Sequence, residues 1–287
     1  MDDHTPLRAP VPDAGRRPPL ALRILVVVLG ATALWWLLLP WVSGLLPQGS
    51  QVGPSRWATA VMVTALAVPL VWAARRYLDR RPWRGLWTAG PGGPARPLLV
   101  GALAWALPGF AGIAGAWALG WMEIVPLLPA GELVVSVLML ACLVFLFEAL
   151  PEELVFRGHL FRNLNASMSA LTAVLVQAAL FCLWGTALWV ITHGWEVLGE
   201  RAPLFAGMGI VLGCLRVVTG SLWACVGFHL VFQTAAQALM GGQLFAVGGG
   251  ADAALLPFAL PFVFGVLVAV LLTREEASWR ARVPDPR

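Results

Sequence analysis

The chain has 287 residues, 59% of them hydrophobic and only 12% charged, and its net charge of +4 rests on 19 arginines with no lysine. Apolar runs this long and this numerous exceed what a soluble core can absorb, so the composition excludes a soluble domain and predicts a polytopic membrane protein. The basic excess follows from how loops of such proteins are composed and gives no ground for nucleic-acid binding.

In chain order, residues 1–20 carry Pro and Arg without an apolar run, which predicts a disordered cytoplasmic tail and not a cleavable signal peptide. Spanning helices are expected at 21–46, 56–74, 97–120, 133–156, 167–192, 203–219, 221–240 and 254–273. The fold class is thus all-α, with about eight crossings in one membrane domain over 21–275 and a short cytoplasmic tail at 276–287. Thr219, Gly220 and Ser221 supply the turn that separates the sixth helix from the seventh.

Arginine placement tests the helix count, because basic residues gather in cytoplasmic loops. With the N-terminus inside, all the arginines but Arg56 and Arg201 fall on one side, so both termini are expected to be cytoplasmic. The stretch RRYLDRRPWR at 75–84 is the densest such loop and could touch anionic lipid headgroups. Cys142, Cys182, Cys214 and Cys225 lie within apolar helices without ligand spacing and read as packing residues. Arginine without lysine suggests a GC-rich bacterial source, and with it a plasma-membrane location.

Against that background EALPEELVFRG at 148–158 stands out, since ionisable groups inside membrane helices are costly and are kept for pairing or function. Glu153 and Arg157, four apart, share a helix face and can pair. Glu152 lies about 100° further round the helix, free to face a cavity as a general base. Pro151 removes a backbone donor and loosens the helix at that point. Glu148, one turn earlier, is either a second pocket carboxylate or a bystander. A purely structural reading makes Glu153 and Arg157 an ion pair near the interface with Glu152 hydrated beside it.

In SLWACVGFHLVFQ at 221–233, His229 and Gln233 are again four apart and offer an imidazole and an amide to developing oxyanion charge. A lone His in such a helix could equally be a packing residue bonded to a carbonyl.

These segments resemble the CPBP intramembrane proteases, also called the Abi or CAAX-protease family, to which the Rce1-type CAAX proteases belong. The resemblance covers roughly 145–240. The family's EExxxR motif stands as Glu152, Glu153 and Arg157 followed by Gly158, and its HxxxN motif stands as His229 with Gln233 in place of Asn. The middle motif, FxxxH, is broken: Phe181 is followed four residues later by Gly185. His193 and His159 are poorly placed to substitute, being displaced by about 12 Å and about 10 Å along their helices, and both are expected to be dispensable.

The resemblance implies an intramembrane endopeptidase acting on a peptide or membrane-protein substrate within the lipid bilayer, without nucleic-acid partners. Glu152 would activate water, Glu153 held by Arg157 would position it, and His229 with Gln233 would stabilise the oxyanion. Zinc is a possible cofactor, with Glu153 and His229 as candidate ligands. The alternative is a degenerate member acting as a membrane scaffold or bacteriocin-immunity binding protein, which Gly185 and Gln233 favour. A proton-coupled transporter is a third reading, without the repeated broken helices that would support it.

Overall fold

The computed structural model describes residues 17–38, 50, 52–87, 93–249, 251–274 and 277–284. Residues 1–16 of the tail expected over 1–20, and the far part of the first expected helix, 39–46, lie outside the described residues.

The described residues form eight helices: α1 (Leu20–Ala33), α2 (Pro54–Ala73), α3 (Ala95–Ala118), α4 (Ala130–Asn165), α5 (Ala170–His193), α6 (Leu198–Thr219), α7 (Leu222–Met240) and α8 (Ala251–Thr273). Six of the helical spans are long and apolar enough to cross a membrane, and α1 and α8 contribute shorter apolar helices. The protein is therefore a polytopic all-α membrane protein. Leu138, Leu183, Val263 and Leu271 are among the large apolar side chains left exposed, as a lipid-facing surface requires.

Close helix packing comes from small residues, since lipid-soluble helices associate through shape more than through the hydrophobic effect. α3 crosses α7 where Gly101 faces the Ala224 carbonyl and Gly227 faces the Leu98 carbonyl, and a methyl group at either glycine would collide with that backbone. α3 also packs on α8, and α5 pairs with α6 through Gly209, which rests against Ala178.

Three features depart from the sequence expectations. The fourth helix does not end at 156 but runs on to Asn165, because residues 154–165 are almost all buried and so cannot form an interfacial loop. A two-stranded antiparallel ribbon, β1 (Met122–Pro126) with β2 (Phe245–Gly249), joins the α3–α4 and α7–α8 connections. Residues 277–284, part of the expected closing tail, are docked: Ala281 and Trp279 carbonyls accept from Ala170 and Leu171 N–H (both 3.0 Å), satisfying free donors at the start of α5.

A buried polar network ties α1, α2 and α4 together. Asp79 is fully buried and accepts from Arg23 (3.3 Å), Arg75 (3.2 Å) and Asn163 (3.1 Å), with His159 Nδ1 at 3.3 Å. Arg23 also donates to Asn163 Oδ1 (2.5 Å), and His159 Nε2 lies 3.2 Å from the Arg23 carbonyl. His159, expected to be dispensable, is thus a structural member of this network. Its place could not be read from its own helix, because its partners come from α1 and from the end of α2.

Removing one member of a buried ionic network leaves its partners uncompensated, at about 3–5 kcal/mol. Asp79→Ala is accordingly expected to lower membrane abundance and detergent unfolding temperature sharply. His193 is exposed, bonded to Thr192 and stacked on Trp189 of its own helix, and His193→Ala should change both measurements by less than about 0.5 kcal/mol equivalent.

Candidate active site

The site is built on an interruption of α4. Its backbone is α-helical over Ala130–Val144, widens to a π-helix over Phe145–Ala149, returns to α over Leu150–Glu153 and widens again over Leu154–Leu160. Pro151 explains the first widening. It has no N–H and its ring crowds the carbonyl one turn back, so the helix opens there to the i→i+5 pattern. Leu150 N–H then reaches the Phe145 carbonyl, and Pro151 has no donor for the carbonyl next in that register, at Leu146. The Thr64 hydroxyl of α2 donates to that Leu146 carbonyl instead.

Past this loosened turn the two glutamates diverge. Glu153 is fully buried, and its Oε1 accepts from Arg157 Nη1 at 3.0 Å and lies 2.8 Å from His229 Nδ1 of α7. Arg157, also fully buried, donates through Nη2 to the Met208 carbonyl of α6 (3.3 Å) and lies over the Phe181 ring of α5, 4.2 Å from its centroid. That ring face adds a cation–π contact to the pairing. Glu153 Oε2 and Arg157 Nε have no hydrogen-bond partner among the described residues, so one carboxylate oxygen keeps its accepting capacity unspent. Glu152 is only partly buried and makes no hydrogen bond among the described residues.

The expected pairing of Glu153 with Arg157 is present, and His229 meets the same carboxylate. Gln233 makes no hydrogen bond to Glu153 or His229 among the described residues, and Glu148 accepts from Gln237 Nε2 at 2.8 Å. Gln237 was missed by motif reasoning, although His229, Gln233 and Gln237 recur every fourth residue on one apolar helix, a polar stripe that the spacing alone exposes. Glu148 is thereby tied to α7 through Gln237.

Arg216 was likewise read only as part of the loop asymmetry. It is buried, and it donates to the Arg157 carbonyl (3.3 Å), the Leu86 carbonyl (3.1 Å) and the Gly220 carbonyl. Gly220, at φ 63°, ends α6 in the left-handed conformation that glycine adopts freely, and Ser221 Oγ caps α7 by accepting from Trp223 N–H (3.2 Å). This turn fixes the start of the helix that carries His229.

At Gly185, where the resemblance puts a histidine, the space is taken. A Cβ there would lie 2.5 Å from the Phe205 ring of α6, which also packs edge-on to Phe181 at 5.5 Å between centroids. A zinc reading needs Glu153, His229 and a third protein ligand to converge on one ion. Glu153 and His229 instead face each other at hydrogen-bond distance, and among the described residues no three His, Cys, Asp or Glu side chains gather as a ligand set. The donors do not fit a three-ligand zinc site, and the chemistry has to be derived from the side chains themselves.

Residues 134–235 match the family described as Rce1-like, type II CAAX prenyl endopeptidase Rce1-like. The match spans α4 through most of α7, so it takes in both glutamates, Arg157, Gly185 and His229, in agreement with the family resemblance of the motifs. No curated protein matches the chain.

Two outcomes follow from this geometry. Arg157→Ala strands Glu153 in a buried setting and should cost about 3–5 kcal/mol, seen as reduced abundance in membranes, while Glu152→Ala, with no hydrogen bond to lose, should stay near wild type. Gly185→His alone should destabilise by about 1–3 kcal/mol through collision with Phe205, and combining it with Phe205→Ala should recover much of that loss in detergent thermal unfolding.

Proposed function

We propose that the chain is an intramembrane endopeptidase that hydrolyses a peptide bond in a membrane-embedded or membrane-proximal substrate. Glu152, which has no hydrogen-bonded partner among the described residues, takes a proton from water as the water oxygen attacks the scissile carbonyl carbon. The C–N bond then breaks as Glu152 returns that proton to the departing nitrogen. Glu153, held by Arg157, orients the His229 ring. With Nδ1–H donating to Glu153, the ring stabilises the oxyanion through Nε2 only when doubly protonated, and Gln233 and Gln237 would hold Glu148 at the rim.

The observation that carries this reading is the contact of His229 Nδ1 with Glu153 Oε1 across two helices, in a carboxylate whose second oxygen is unspent. An ion pair kept for structure alone would gain from using both oxygens. The match to a CAAX prenyl endopeptidase family makes a lipid-modified or otherwise membrane-held peptide end the natural substrate class.

A second reading, a catalytically silent scaffold or immunity-type binding protein of the same fold, is favoured by the Phe205 ring seated where the missing histidine would stand. The two part on one experiment. N-terminal labelling of membranes from cells expressing wild type or Glu152→Gln should reveal new N-termini in the first and none in the second, with equal protein levels. His229→Ala should lose at least about a hundredfold of that cleavage, as expected for a group acting on the transition state, and His193→Ala should lose none. Identical N-termini in wild type and Glu152→Gln would leave the scaffold reading standing.

A further inference from the structure

A second site lies at the far end of α2, away from the glutamates. The helix ends in a π turn, Ala74–Asp79, and Arg80 follows in the left-handed conformation at φ 53°. The chain folds back on itself there: Arg81 N–H donates to the Arg75 carbonyl (3.2 Å) and Arg75 Nε to the Pro82 carbonyl (3.3 Å). That reversal brings Arg75 and Arg76 together with Arg80 and Arg81 around a cavity of about 350 Å³, walled by Trp72, Pro82 and Trp83.

The charge in this corner is not balanced among the described residues. Asp79 is the carboxylate at hand, and it is already engaged by Arg23, Arg75, Asn163 and His159. Among the described residues Arg76, Arg80 and Arg81 make no ion pair, and the buried Arg81 Nε has no hydrogen-bond partner. The negative end of the α2 dipole amounts to about half a charge and offsets little of this. Guanidinium groups present planar forks suited to phosphate oxygens, and several of them around one cavity define an anion site.

We propose that this cavity binds the phosphate headgroup of an anionic membrane lipid. The site sits at the end of a membrane span, and Trp72 and Tyr77 on its last turns are 46% and 64% exposed, the amphipathic aromatics found at the headgroup level. A soluble phosphate would find the same donors but would have no use for the apolar walls supplied by Trp72, Pro82 and Trp83. Juxtamembrane arginines each add affinity for anionic lipid, so losing three has a large effect.

The test is native mass spectrometry of the full chain in detergent, titrated with dioleoylphosphatidylglycerol or dioleoylphosphatidylcholine, with and without millimolar glycerol phosphate. Wild type should retain phosphatidylglycerol at least about tenfold better than phosphatidylcholine, and the triple substitution Arg76→Gln, Arg80→Gln, Arg81→Gln should erase that preference. Arg84→Gln, an exposed neighbour outside the cavity, should keep it. If the triple variant fails to fold, Arg80→Gln alone, at an exposed position, must weaken retention for the proposal to survive. Equal retention of both lipids, or full retention by the substituted chain, overturns it. Retention of glycerol phosphate as strong as that of phosphatidylglycerol overturns the lipid assignment in favour of a soluble phosphate ligand.

Discussion

The arrangement depends on one buried carboxylate. Glu153 has no exposed surface, and an ionised carboxylate in such a place is tolerated only with charge and hydrogen bonds around it. Arg157 from its own helix and His229 from α7 supply them. Arg157 is in turn held by the Met208 carbonyl of α6 and the Phe181 ring of α5, and its own carbonyl is held by Arg216. Four helices therefore meet through the compensation of a single charge. A shift in any of them changes the geometry in which His229 is presented.

That geometry needs a helix that is not regular. In an unbroken α-helix Glu152 and Glu153 would be fixed about 100° apart with a full ladder of hydrogen bonds on either side. Widened turns before and after LPEE free backbone groups and change the pitch on both sides of the pair. The freed Leu146 carbonyl is answered by Thr64, so the irregularity is supported by a neighbouring helix and not left to water, which the bilayer does not supply. Proline in this span is thus part of how the acidic pair is displayed.

What could be read from the sequence is what depends on local spacing. Eight apolar runs became eight helices, the four-residue step from Glu153 to Arg157 became an ion pair, and Thr219–Gly220–Ser221 became the turn ahead of α7. What could not be read depends on partners brought from elsewhere in the chain. His159 looked idle because Asp79 and Arg23 are distant in sequence, and at Gly185 the missing histidine was legible but the Phe205 ring of α6 that occupies the space was not. Gln237 is a different case: its spacing from His229 and Gln233 was visible, and a motif ending at Gln233 hid it. The ribbon of β1 and β2 escaped notice because five residues of mixed Gly, Pro and β-branched character carry too little alternation to mark a strand.

Among the described residues the two buried acidic groups, Asp79 and Glu153, differ in how fully their oxygens are used. Asp79 uses both oxygens: Oδ1 accepts from Arg23, and Oδ2 from Arg75 and Asn163 with His159 close by. Nothing further can bind it without breaking a bond, and its network serves to fix α1 against α2 and α4. Glu153 concentrates both of its partners on Oε1 and leaves Oε2 unspent, at a buried position beside a second glutamate that makes no hydrogen bond among the described residues. Folding alone would favour the saturated arrangement, because an unsatisfied buried acceptor costs about 1–3 kcal/mol. Glu153 forgoes that stabilisation on a helix already widened at the same place, so a donor brought to Oε2 would gain a hydrogen bond that folding leaves unmade.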